Sequence, residues 1–183
     1  TPNRTDNIDI LQFCGNNLLY KQDLIDGVKL NLLSSFEYRG IKDKYVDYTK
    51  ITWRGKKFDE EDLTNNLNTR ERAQYVFEKW TTHKQTRTLA FCASIKHCDF
   101  MTVFFSNQGI KAVSVHSKSP VKRDEALKRL STNEIDILFS VDLFNEGVDL
   151  PVVDTIMMLR PTESKIIFIQ QFGRGLRKAK GKK

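Results

Sequence analysis

The sequence predicts an α/β fold built on a parallel sheet. Two observations between residues 87 and 177 carry the prediction: short apolar strands alternate with helical stretches, and the helices carry recognisable end signals. Leu89 to Ala93 is the first apolar run. Residues 95–108 follow as a helix with Phe100, Met101, Phe104 and Phe105 on one face, Ser94 in the N-cap position and Gly109 at C′. A second strand is expected at 111–115. The next helix is expected to start at Ser119 and Pro120, the cap and the first helical position. Asp124 and Glu125 early in it, with Lys128 and Arg129 late, suit the helix dipole. Ile135 to Val141 and Val152 to Leu159 read as the third and fourth strands, and a helix at about 163–172 leads into the terminal "QQFGRGLRKAKGKK".

Residues 1–86 carry weaker patterns. "DLIDGVKLNLLSSFEYRGI" reads as a short helix, a turn and a strand, and "FDEEDLTNNL" and 70–82 read as helices. Residues 40–58 alternate polar and aromatic side chains without firm periodicity. The chain therefore divides, on this reading, into an N-terminal part (1–86) and an α/β core (87–183).

Composition narrows the class of partner. Of 183 residues, 39% are hydrophobic and 29% charged, ordinary for a globular domain. Thirty basic against 23 acidic residues give +7, which favours a polyanionic partner. The excess gathers in residues 160–183, which hold eight Lys or Arg and a single acid, Glu163. Cys14, Cys92 and Cys98 are odd in number and lack metal-ligand spacing, so a disulfide framework is not expected and a reducing cytoplasm is. No apolar run reaches membrane-spanning length and no signal-peptide pattern opens the chain, so no membrane partner is expected. The first residue is Thr rather than Met, the expectation being a piece of a longer protein.

In parallel α/β sheets, ligands bind beyond the carboxyl ends of the strands. No GxxxxGK[ST] phosphate loop is present. "DEED" (59–62) and "DEAL" (124–127) do not follow strands, so they read as solvated acids, and His83, His97 and His116 are not spaced for a metal. Four strand-end turns remain. "SVDLFNEGVDLP" places Asp142, Asn145, Glu146 and Asp149 around Gly147, where polar groups beside a buried strand need partners; helix capping by Asp142 and Asn145 is the simpler alternative. "LRPTES" offers Arg160, with a surface ion pair as its alternative, and Thr162 as a cap. "CASIKH" presents a helix N-terminus, a natural phosphate seat, and "VHSKSP" offers His116 and Lys118 in what is otherwise an ordinary capped turn. Last comes "QQFGRGLR". Arg174 and Arg177 on a Gly-flanked turn, behind Gln170 and Gln171, read as an anion clamp, because guanidinium forks match phosphate oxygens. The alternative is a basic helix end that complements the dipole.

Taken together and in this order, "TLAFCAS", "VHSKSPVKRDEAL", "ILFSVDLFNEGVDLP", "MMLRPTES" and "QQFGRGLR" resemble the second motor domain of superfamily 2 helicases. The likeness is strongest to the branch of type III restriction res subunits and their DEAD/DEAH relatives. "TPNRTDNIDI" is similar to the end of motif III, which leads out of a first motor domain. The resemblance implies a RecA-like parallel sheet with helices on both faces, itself lacking a P-loop. It implies ATP and Mg²⁺ in the full-length protein, held mainly by an N-terminal RecA-like domain of the same parent chain, and none in the isolated fragment.

Residue by residue, it implies that Arg174 and Arg177 act on the γ-phosphate across an interdomain cleft and that Gln170 communicates with the nucleotide. Glu146, Gly147 and Asp149 match motif V positions near the nucleotide. Ser94, His116, Asp142 and Arg160 match positions on the nucleic-acid side. Val141 departs from the pattern, standing where many relatives carry a phosphate-binding Thr, and Ser117 stands where DEAD-box relatives often carry Gly. The function implied is that of an ATP-dependent helicase or translocase acting on nucleic acid, with DNA favoured over RNA and the fragment inactive alone. The alternative is a non-catalytic RecA-like module that binds nucleic acid or a protein.

Overall fold

A computed structural model of the chain describes residues 15, 23–55, 57–141, 150, 152–162 and 164–179. The elements in order are α1 (Leu24–Lys29), a 3-10 turn (Tyr48–Lys50), β1 (Trp53–Arg54), β2 (Lys57–Phe58), α2 (Glu60–Leu67) and α3 (Arg70–His83). They continue with β3 (Thr88–Phe91), α4 (Ile95–Asn107), β4 (Ala112–Val115), α5 (Arg123–Ser131), β5 (Ile137–Ser140), β6 (Thr155–Met158) and α6 (Lys165–Arg174).

The four longer strands form one sheet in the order β4-β5-β3-β6, and every pairing in it is parallel. Leu89 sits opposite Leu138 on one side and Ile156 on the other. Side chains alternate across a strand, so β3 feeds two cores. Leu89 and Phe91 join Val115, Leu138, Ala126 and Leu130, which brings α5 onto one face. Ala90 and Cys92 join Ile137, Phe139, Met101, Phe105 and Trp80, which brings α3 and α4 onto the other. All four residues of β3 and of β5 are buried, as central strands covered on both faces must be. This is the α/β architecture expected from the sequence, a parallel sheet with helices on both faces. Cys92 and Cys98 are buried thiols within it.

Helix ends follow their local chemistry with instructive exceptions. Ser94 caps α4 by accepting the His97 N–H, and Gly109 takes the left-handed φ of +80° expected of a C′ residue. The helix expected from Ser119 begins instead at Arg123. Ser119 Oγ is occupied in the turn before it, its one proton shared between the carbonyls of His116 and Val121, each 3.0 Å away, while it accepts the His116 N–H at 3.2 Å. Ser164, not Thr162, caps α6. In the stretch lacking periodicity, β1 and β2 pair antiparallel through a tight turn at Gly55, whose φ is +67°. The strand expected after α1 does not form; residues 34–43 instead run without regular structure.

Candidate functional site

The carboxyl ends of the strands bring together three of the candidate residues. Ser94 follows β3, His116 follows β4 and Arg160 follows β6. Their side chains differ in availability. Ser94 is buried, and its hydroxyl accepts both the His97 N–H and the Thr64 hydroxyl, the latter at 2.7 Å. What this turn can offer a phosphate is therefore backbone. His116 is turned inward as well. Its Nδ1 accepts the Lys118 N–H at 3.2 Å, which leaves Nε2 as the protonated nitrogen donating to Asp99 Oδ1 at 2.9 Å. Ser114 Oγ donates to the same carboxylate oxygen at 2.9 Å. The imidazole fixes the turn that presents exposed Ser117 and Lys118. Arg160 is half-buried, and the carbonyl before it, Leu159 O, accepts from Arg72 Nη2 at 3.2 Å.

That last contact belongs to a buried junction that nothing in the local sequence marks. Arg72 is only 3% exposed. Its Nε donates to Asp43 Oδ2 at 2.7 Å and its Nη1 lies 3.3 Å from His97 Nε2. One guanidinium thus ties residue 43, α4 and the end of β6 together beside Arg160. The Ala93 N–H also points at His97 Nδ1, at 3.2 Å. A neutral imidazole accepts at one nitrogen, so donors at both sides leave no room for a second ring proton. Burial first, and the Arg72 charge second, push the His97 pKa down to about 3.

The arginine pair lies elsewhere. Arg174 is the last residue of α6 and Arg177 follows it, exposed. Ten helical residues at about 1.5 Å each carry the chain roughly 15 Å back along the sheet from the Arg160 turn. Gly175 has φ −78°, so it is not there for a left-handed turn. A Cβ on it would meet Ile156 Cγ1 at 2.7 Å, so glycine lets the end of α6 lie directly on β6. Gln170 is half-buried and Gln171 fully buried.

Residues far away in sequence hold this end in place. Ser34 N–H donates to Leu176 O at 2.8 Å and Ser34 Oγ to Arg177 O at 3.4 Å. Lys178 Nζ bonds Asn31 Oδ1. Phe36 meets Phe172 edge-on with ring centroids 4.8 Å apart. Between this strap, α3, the outer edge of β6 and α6 runs a groove of about 1000 Å³ whose wall includes Tyr38, Tyr75, Arg160 and Phe168. The strap was missed in the sequence, its signal being no more than aromatic residues at 36 and 38.

Comparison with known proteins decides what this arrangement is. The family described as Helicase conserved C-terminal domain matches residues 68–179, more than half of the chain. The chain belongs to that family. The helicase domain is 25% identical over 167 residues to the Saccharomyces cerevisiae protein named "Putative ATP-dependent helicase IRC3", covering 88% of this chain and 24% of the relative. It is 34% identical over 105 residues to UvrABC system protein B of Treponema denticola, covering 52% of this chain and 15% of the relative. The chain thus spans a quarter or less of either relative's length. Among solved structures, the C-terminal domain of the DEAD-box protein Dbp5 superposes with a TM-score of 0.51 at 16% identity, covering 59% of this chain and 64% of the other. The two share a fold, that of a RecA-like helicase C-terminal domain.

Asp142, Glu146, Gly147 and Asp149, and with them most of motif V, lie outside the described residues. Among the described residues, no group of three His, Cys, Asp or Glu is placed to hold a metal ion. Nor is any helix long and apolar enough to cross a membrane.

Proposed function

We propose that this helicase C-terminal domain works as the second motor domain of an ATP-dependent helicase or translocase, completing an ATPase site whose phosphate cradle lies on a first RecA-like domain. The supporting observation is the end of α6. Gly175 seats it on Ile156 while the Ser34 and Phe36 contacts brace it, so the backbone that bears Arg174 and Arg177 is firmly held. Preorganised cations act without reorganising as charge develops.

The donor set fits a nucleotide triphosphate. From Ser164 to Lys183 there is no carboxylate, and the two guanidinium groups stand three residues apart. Bound ATP would supply the scissile phosphoanhydride. Arg174 and Arg177 would donate N–H groups to its γ-phosphate oxygens, with Gln170 one turn earlier relaying nucleotide state. Glu146, Gly147 and Asp149 are assigned to the same nucleotide side, and Mg²⁺ to carboxylates of the partner domain.

The nucleic-acid side is assigned to the carboxyl ends of the strands, at the Ser94 backbone, the turn held by His116, Asp142 and Arg160. The roughly 15 Å between that edge and the arginine pair keeps the two sites distinct. The net charge of +7 supports a phosphate backbone as ligand, and DNA is favoured over RNA from the likeness to restriction and repair enzymes.

The test uses the full-length protein. Arg177→Ala should lower ATP turnover about 10³-fold, as arginine fingers do, while oligonucleotide affinity stays within about twofold. Equal losses of turnover and affinity would exclude the finger role. Parallel titrations with DNA and RNA strands of one sequence check the preference, which a tighter RNA complex would reverse.

A further inference from the structure

The β1–β2 hairpin lies outside every motif discussed so far, yet it exposes the larger part of a tryptophan. Trp53 is 55% exposed, whereas the chain's other tryptophan, Trp80, is 3% exposed and donates to Thr88 Oγ1. One side of the indole rests on its cross-strand partner Phe58, with centroids 4.5 Å apart, and Phe58 in turn faces Tyr48 at 6.2 Å. The ring is therefore supported from behind. The nearest charges in sequence are positive: Lys50, Arg54, Lys56 and Lys57 fall within residues 50–57, between Asp47 and the acidic run 59–62. Arg54 and Lys57 form the neighbouring cross-strand pair, so their long side chains leave the opposite face of the ribbon and flank the ring from its edge. The Lys50 and Arg54 side chains are 82% and 76% exposed. The Lys50–Asp47 pairing, at 3.4 Å, is a surface pair of small worth, readily exchanged for another anion, whereas Arg54 Nε is held to the largely buried Asp59 at 2.6 Å.

The hairpin is also tied to the carboxyl edge of the sheet. Thr52 O accepts the Asp59 N–H at 2.8 Å, and the Thr52 N–H donates to Asp62 Oδ2 at 2.8 Å, locking the hairpin to the first turn of α2. Two residues further along α2, Thr64 donates to Ser94. Phe58 and Ala93 pack against the same small core of Val46, Ile51, Leu63 and Leu67.

We propose that the hairpin is a stacking platform for single-stranded nucleic acid, with a base lying on the open side of the Trp53 indole and flanking phosphates on Lys50, Arg54 and Lys57. The inference rests on the carboxyl edge being the nucleic-acid side. A supported aromatic among exposed cations is the combination that holds a strand without regard to sequence, through stacking and phosphate contacts together. A protein partner would use the apolar ring but gain little from the lysines.

The test is titration of the chain with a single-stranded oligothymidine of about 20 nucleotides, a length that covers such sites. Binding should quench tryptophan emission, and because Trp80 is buried the quench reports Trp53. Trp53→Ala should weaken single-strand binding about tenfold without changing its salt slope, while Trp53→Phe stays within about threefold. Duplex DNA should bind both variants as it binds wild type. Lys57→Gln should reduce the salt slope by about one unit. Unchanged single-strand affinity in Trp53→Ala, or no quench in a wild-type chain that binds, overturns the platform and leaves the nucleic-acid reading standing. Equal weakening for duplex and single strand likewise overturns it. A wild-type chain that binds no strand even at low salt overturns both.

Discussion

Among single residues, His97 and Arg72 show how a local environment sets chemistry that a sequence cannot display. Both are buried, and a protonated His97 would turn one ring N–H toward a guanidinium at 3.3 Å and the other toward a backbone donor at 3.2 Å. The His97 pKa is accordingly held at about 3 in the fold, against 6.5 for the free side chain. Below pH 6.5 the unfolded chain takes up a proton that the folded chain refuses, so stability is full above that pH and is lost as pH falls toward 3. Between about pH 6.5 and pH 5, before carboxylates contribute, unfolding free energy should fall with a slope approaching 1.4 kcal/mol per pH unit. Urea unfolding at pH 7, 6 and 5 would measure it. His97→Asn, which keeps an acceptor for Ala93 and cannot titrate, should flatten the slope. A slope that survives that change would assign it to another group. Ser94 and His116 teach a related lesson. Both are legible as candidates, but only the fold shows their polar atoms already engaged, so in the proposed role each would act through the backbone it shapes.

At the scale of an element, α6 and its end bear the two arginines of the proposed ATPase site. The sequence suggests a glycine-loosened turn, and the structure replaces looseness with contact. Gly173 has nothing within 4 Å of a Cβ position, while Gly175 abuts Ile156. The two glycines should therefore respond oppositely to alanine. Gly173→Ala should raise stability by up to about 1 kcal/mol through helix propensity. Gly175→Ala should lower it by about 1–3 kcal/mol through overpacking, and under the proposed role of Arg174 and Arg177 it should also slow ATP turnover in the full-length protein. Thermal midpoints of both variants test the contrast, and similar shifts for the two would remove the packing account. The cap of α5 was misplaced for a comparable reason. Ser119 has the right hydroxyl and Pro120 the right ring, but the hydroxyl serves the His116 turn, a use visible only once that turn is closed.

At the scale of the molecule, the N-terminal part turns out to serve the C-terminal one. Ser34 reaches Arg177 across 143 residues, and Phe36 and Tyr38 meet Phe172 edge-on. Phe36→Ala should cost about 1 kcal/mol in global stability, the worth of one aromatic pair. It should also speed amide exchange in α6 more than in α4, and equal change in both helices would mean the strap does not act on α6. Likewise α3 lends Phe77 and Trp80 to the core under α4, through edge contacts with Phe105 at 5.2 Å each.

By itself the sequence determined the α/β class, the positions of most strands and helices, and the ordered motifs that mark a helicase C-terminal domain. These are local quantities: apolar runs, cap residues and spacings that any stretch of chain carries with it. Tertiary structure alone decided which polar groups were already satisfied, why Gly175 must be glycine, and how residues 23–41 brace the arginines. It also decided that the Trp53 hairpin belongs to the edge where Ser94 lies. Each of these depends on contacts between residues distant in the chain, and burial and hydrogen-bond partnership are properties of such pairs rather than of either residue.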